Sequence, residues 1–251
     1  MFKILICTLA GLGAGLGTGF AGMSAAAVIS PMLITFLHMD PYLAVGIALA
    51  SDVLASAASA YTYGKNKNLD IKNGVIMMVS VLCFTLVGSY IASTVPKTTM
   101  GSFSTLMTLF LGIKFIVKPV LEPKQRFQSA TAYQKALRSV VCGAVVGFIC
   151  GFVGAGGGMM MLLVLGYELK TAVGTSVFIM SATAFTGSVS HFVIGGLPDM
   201  EALIICIIST LIFAQVAASL ANKASPLVLN RVTGSILVIL GVAILAVNHS
   251  S

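Results

Sequence analysis

The chain has 251 residues, of which 58% are hydrophobic and only 8% charged. Soluble domains carry roughly 25% charged residues, so a water-exposed globule is excluded, and the long apolar runs do not alternate as the strands of a membrane barrel would. The net charge of +7 sits in short loops between those runs, which points to membrane topology and not to nucleic acid.

The chain therefore reads as an all-α integral membrane protein, with runs that reach the ~20 residues needed to cross a bilayer. The first helix is expected over about residues 3–21, with Gly11, Gly15 and Gly19 at four-residue steps and Gly22 after them. Small residues at that spacing let a neighbouring helix backbone come close. A short helix with Pro31 follows at about 24–37, then long ones at about 42–63, 72–94 and 100–118. A linker with Pro119, Pro123 and several charges separates this half from a second one. There a Gly-rich helix is expected at about 137–153, a short one at about 157–166, and long ones at about 171–194, 200–222 and 228–247.

The halves are copies. Gly11, Gly15, Gly19 and Gly22 lie 132 positions before Gly143, Gly147, Gly151 and Gly154, and Ala44-Val45-Gly46 lies 128 before Ala172-Val173-Gly174. Gly112-Ile113 stands 129 before Gly241-Val242. Offsets this steady imply duplication, with a first repeat at 1–120, a linker at 121–135 and a second repeat at 136–251. The opening apolar run, which could pass for a signal peptide, is thereby part of the fold. The short helix of the second half, about ten residues, covers roughly 15 Å and cannot span alone. Each half is expected to open with a broken, re-entrant hairpin and to continue with three transmembrane helices.

Charge fixes the orientation. With Lys65, Lys67 and Lys72 in the cytoplasm, Lys135, Arg138, Lys170, Lys223 and Arg231 fall there too, while Asp40, Asp199 and Glu201 fall outside with Lys3 and Lys97. The Lys65 and Asp199 loops are repeat equivalents on opposite sides, so the repeats are expected to be inverted, as in many secondary transporters.

Function is expected where the helices break. Gly154-Ala155-Gly156-Gly157-Gly158 interrupts an apolar run, and open backbone at membrane depth must be buried or line a cavity. It is a candidate site for an anion held by N–H groups at a helix start, or else a flexible turn. The equivalent first tip offers Gly22 and Ser24. The next helices add Thr175 and Ser176 in one half and Ser51 in the other. Asp52, at bilayer depth, is a candidate proton carrier or a hydrogen-bonded structural acid; Met180 is its repeat partner. His191, opposite Tyr63 in the repeat, is a candidate for titration or anion attraction, or a structural histidine. Gln215 reads as interhelical glue. The cysteines, Cys7, Cys83, Cys142, Cys150 and Cys206, lie in apolar runs without CxxC and read as small buried hydrophobes. No metal or other cofactor is called for. Met159 stands where a dinucleotide loop needs its third glycine, and no Gly-Lys-Ser/Thr follows for a P-loop.

The G-x3-G-x3-G-x2-G opening of each half, with GAGGG and then Ala172-Val173-Gly174-Thr175-Ser176 in the second, resembles the sulfite exporter TauE/SafE family across essentially the whole chain. The first half departs from it, with Ala25 and Ala26 for two glycines and no Thr-Ser pair. The resemblance implies a multi-pass protein of the cytoplasmic membrane that moves sulfite, an organosulfonate or a related sulfur-containing or carboxylate anion. A small anion and lipid are the expected partners, and a homodimer is compatible with the chain. An anion channel, or a membrane-embedded enzyme or assembly factor, is the alternative; the latter would need converging His, Cys or paired carboxylates.

Overall fold

The computed structural model describes residues 1–95, 132–153 and 169–225 continuously, with isolated positions between 106 and 117 and between 227 and 246. Seven helices fill the continuous stretches: α1 Phe2–Ala21, α2 Ala26–Leu37, α3 Pro41–Lys65, α4 Ile71–Thr94, α5 Ala132–Val153, α6 Leu169–Gly195 and α7 Met200–Ala221. The described residues hold no strand. Five of the helices, α1, α3, α4, α6 and α7, are long and apolar enough to cross a membrane. The second short helix, most of the linker and most of the last helix expected in each half lie outside the described residues.

Helix starts follow local chemistry. Asp40 precedes Pro41, and its carboxylate accepts from the N–H groups of Tyr42 at 2.9 Å and Leu43 at 3.4 Å. Asp70 accepts from Asn73 N–H and Asp199 from Ala202 N–H, both at 3.1 Å. Each is an N-cap that satisfies a donor the helix cannot pair internally. α1 ends at Gly22, whose φ of 59° is left-handed, with Met23 N–H returning to Gly17 O at 3.3 Å. That closes the helix as a glycine C-cap does.

The glycines then determine the packing. Gly11 faces Ser209, Gly15 faces Thr210 and Ala214, and Gly19 faces Ala217 and Ala218, so α1 lies parallel to α7 at backbone contact. Gly143 faces Ser80, Gly147 faces Val81 and Phe84, and Gly151 faces Thr85 and Ser89, so α5 lies parallel to α4 in the same way. The third helices, α3 and α6, run antiparallel: Gly46 meets His191, Gly187 meets Leu49 and Gly174 meets Tyr63. Leu109 and Gly241, among the isolated positions, are also in contact.

Two faces result. On one, Lys3 Nζ bridges Asp199 at 2.6 Å and Glu201 at 2.9 Å. On the other, Lys170 Nζ donates to Asn222 O at 2.7 Å, and Asn68 donates to the Asn222 side chain at 3.0 Å. α1 enters from the Asp199 face and α2, 12 residues long, returns to it at His38. Ile204, Ile208, Ile212, Val216 and Leu220 form an exposed ridge on α7, as lipid contact requires. Gln215 joins α7 to α3 by donating to Thr62 Oγ1 at 3.1 Å. Cys7, Cys150 and Cys206 are buried, but Cys142 is only half-buried and Cys83 is exposed, on the face of α4 that also presents Val79, Phe84 and Val87. Apolarity brings a thiol into the membrane without deciding whether it meets protein or lipid.

Candidate functional site

The first hairpin turns halfway down α3. Between Gly22 and Ala26 the chain leaves one helix and starts another, and the buried N–H of Ala25, which has no partner within the helix, points at Asp52. Ala25 N donates to Asp52 Oδ2 at 3.1 Å, Ser56 Oγ to Oδ1 at 2.7 Å and Thr18 Oγ1 to Oδ1 at 3.5 Å. The Ser24 hydroxyl is hydrogen-bonded to the same carboxylate. Asp52 is 1% exposed. Among the described residues the ion pairs are those of Lys3, so no cation neutralises it. A buried carboxylate without a counter-ion persists only if its oxygens are well supplied with donors. Here those donors are one main-chain amide at a helix start and three hydroxyls.

The structure brings Gly22, Ser24, Asp52 and Ser176 together. Ser176 Oγ donates to Gly22 O at 3.1 Å, and Gly22 packs on Val173, so the start of α6 holds the tip from the other half. Two further candidates are occupied elsewhere. Ser51 Oγ donates to Ile47 O on its own helix at 2.8 Å, and Thr175 Oγ1 accepts from Asp70 N–H at 3.0 Å in the α3–α4 connection. Gly154, Gly156, Gly157 and Gly158 lie outside the described residues. Thr18 and Ser56 complete the carboxylate's shell and were not singled out from the sequence. Ser56 stands one turn from Asp52 on α3, a signal that was available. Thr18 becomes a neighbour only once the hairpin folds.

His191 sits apart from this cluster. It is fully buried, with Nδ1 3.0 Å from Tyr42 O and Nε2 3.0 Å from Gly151 O. Its repeat equivalent, Tyr63, is hydrogen-bonded to the equivalent carbonyl: Tyr63 Oη donates to Gly19 O at 2.9 Å. Each of the two residues thus fastens the last turn of one Gly-rich helix. A cavity of about 550 Å3 lies between α3 and α6 near the Lys65 end, lined by Ala57, Ala60, Tyr61, Lys65, Phe178 and Ser181 among others.

Residues 7–244 match the family model described as sulfite exporter TauE/SafE. The chain is 29% identical over 226 residues to the probable membrane transporter protein YunE of Bacillus subtilis strain 168, covering 80% of this chain and 82% of that one. It is 21% identical to the probable membrane transporter YdhB of the same organism, over 86% of this chain and 89% of that one. A probable membrane transporter of Methanocaldococcus jannaschii, MJ0441, is 23% identical over 80% of this chain and 78% of its own length. With five helices long and apolar enough to cross a membrane among the described residues and a family match over nearly its whole length, the chain belongs to the sulfite exporter TauE/SafE family of multi-pass membrane transporters.

Proposed function

We propose that the protein is a secondary transporter of a small anion, sulfite, an organosulfonate or a related sulfur-containing anion, across the cytoplasmic membrane. The observation that carries this is the first hairpin tip. There the fold already holds a carboxyl group at membrane depth by a main-chain amide and hydroxyls, with no cation beside it among the described residues. The second tip is the substrate's place in this reading. Asp52 has no counterpart there, because Met180 stands at its repeat position, and the tip carries four glycines in five residues. An anion entering from solution would occupy the position that Asp52 occupies in the first half.

Alternating access follows from an inverted repeat. The antiparallel lie of α3 and α6 supports that arrangement, as does the exchange of partners: α1 with α7, α5 with α4. Proton coupling is assigned to Asp52. Along α3 it begins a polar track, Asp52, Ser56, Ser59 and Tyr63, that leads toward the Lys65 end. Within the track, Ser59 is buried and has no hydrogen-bond partner among the described residues.

Flux of sulfite, sulfoacetate and thiosulfate into proteoliposomes tests the reading. Saturable, gradient-driven uptake is expected, and Gly157→Val is expected to abolish it while the protein still inserts. Asp52→Asn is expected to remove its dependence on the proton gradient. Absence of flux for every anion in the panel would refute the transport reading. Normal uptake by Gly157→Val would move the site elsewhere, and an unchanged gradient response in Asp52→Asn would return that residue to a structural role.

A further inference from the structure

We propose that His191 is a proton-operated latch on the second Gly-rich helix, closed when both ring nitrogens carry a proton and released when one is lost. Both nitrogens lie 3.0 Å from carbonyl oxygens, Tyr42 O at the first turn of α3 and Gly151 O at the last turn of α5. A carbonyl only accepts, and a neutral imidazole has a single N–H. In the neutral ring one nitrogen lone pair would face an oxygen lone pair. The imidazolium alone bonds both carbonyls and so ties α3 to α5 through α6.

The repeat supplies the comparison. Tyr63 occupies the equivalent position and bonds the equivalent carbonyl of Gly19, and Gly174 packs on Tyr63 as Gly46 packs on His191. A phenol brings one donor to one carbonyl and keeps it through the ordinary pH range. The first Gly-rich helix therefore has a permanent fastening and the second a titratable one. Gly151 stands in the last turn of α5, three residues before Gly154 in the sequence, so loss of the Nε2 proton frees the end of α5.

The surroundings suit a proton that comes and goes. From α3, the Tyr42 ring lies 4.1 Å from the imidazole, tilted by 31°, and offers a cation an electron-rich face. Its hydroxyl donates to Ser89 O of α4 at 3.2 Å, and Ser89 does not titrate. From α5, the buried Cys150 adjoins Gly151. Of the acidic groups, Asp40 caps the turn carrying Tyr42 and Asp52 lies further along α3; the basic residues of the packed helices, Lys65 of α3, Lys72 of α4, Lys135 and Arg138 of α5 and Lys170 of α6, stand at the opposite ends of those helices from His191. A cavity of about 240 Å3, lined by Asp40, Tyr42, Ser93 and Ile194 among others, opens one turn from His191 and gives the proton a way to water.

The use of this latch in transport rests on the reading above; the latch itself does not, and it is tested without substrate. In the His38→Asn/His249→Gln protein, nitrogen-15 histidine labelling leaves His191 as the one imidazole signal. Titration from about pH 5 to about pH 9 is expected to show two protonated nitrogens at the acid end and the loss of one in a single step. Hydrogen exchange of the peptide ending at Val153 is expected to quicken through the same step. The increase should be at least about tenfold beyond the intrinsic pH effect, as the loss of one charge-assisted bond predicts. His191→Gln is expected to exchange without that step. A singly protonated ring throughout, or the same step in His191→Gln, would overturn the latch. Neither readout depends on whether any anion is carried.

Discussion

At the scale of single residues, two glycines of α1 separate conformational need from mere smallness. Gly22 has φ of 59°, and a Cβ there would stand 3.1 Å from Val173 O. Gly22→Ala is expected to lower stability by about 1–2 kcal/mol, the penalty of a left-handed L-residue. Gly17 lies inside the helix, where a Cβ would meet only Met23 Cβ at 3.9 Å. Gly17→Ala is expected to be neutral or to stabilise by up to about 1 kcal/mol. Thermal unfolding in detergent compares the two, and equal effects would contradict the assignment of Gly22 as the C-cap. Asp52 was legible in the sequence because a lone carboxylate in an apolar run needs a reason. Its shell was legible only in part: Ser56 is one turn away on the same helix, whereas Thr18 and the Ala25 amide come from a hairpin whose closure no local pattern specifies. The cross-chain choices of Ser176, for Gly22 O, and Thr175, for the Asp70 amide, could not be read, because adjacent hydroxyls at a helix start look alike until their neighbours are known.

At the scale of helices, boundaries were readable and partners were not. Aspartates at positions 40, 70 and 199 mark three starts, and apolar length sets the spans. Every Gly-rich face is equally able to receive any small-residue helix, so the pairing of α1 with α7 and of α5 with α4 needed the structure. At Gly147 a Cβ would overlap the carbonyl oxygen of Val81 and stand 3.0 Å from Phe84 Cβ. Gly147→Ala is therefore expected to force α5 off α4 at a cost of about 1–3 kcal/mol, seen as a lowered melting temperature in detergent; an unchanged value would mean that the helices are not in backbone contact. The start of α1 is tied to α7 by charge. Lys3 holds the Asp199 carboxyl below its usual range, helped by the Ala202 amide. A depressed carboxylate contributes above its unfolded value of about 3.9 and ceases to contribute as pH falls through its folded value. Below about pH 4 the stability gap between the native chain and Lys3→Met is expected to close, which thermal shifts across an acid series would measure. A gap that persists in acid would show that Lys3 acts through packing instead.

At the scale of the molecule, the halves are interleaved. α1 of the first half finds its backbone-contact partner in α7 of the second, and α5 of the second finds its own in α4 of the first. Among the described residues, each glycine seam is covered by a helix of the other half. A chain stopped before Met200 is expected to insert and yet to be cut readily by protease near α1, whereas the whole chain resists; equal resistance would show that the first half closes on itself. During synthesis α1 therefore cannot dock until α7, made long after it, has entered the membrane. Until then α1 waits in the bilayer with its narrow side bare, open to other chains carrying small residues, so the order of translation leaves a span made early to be secured late.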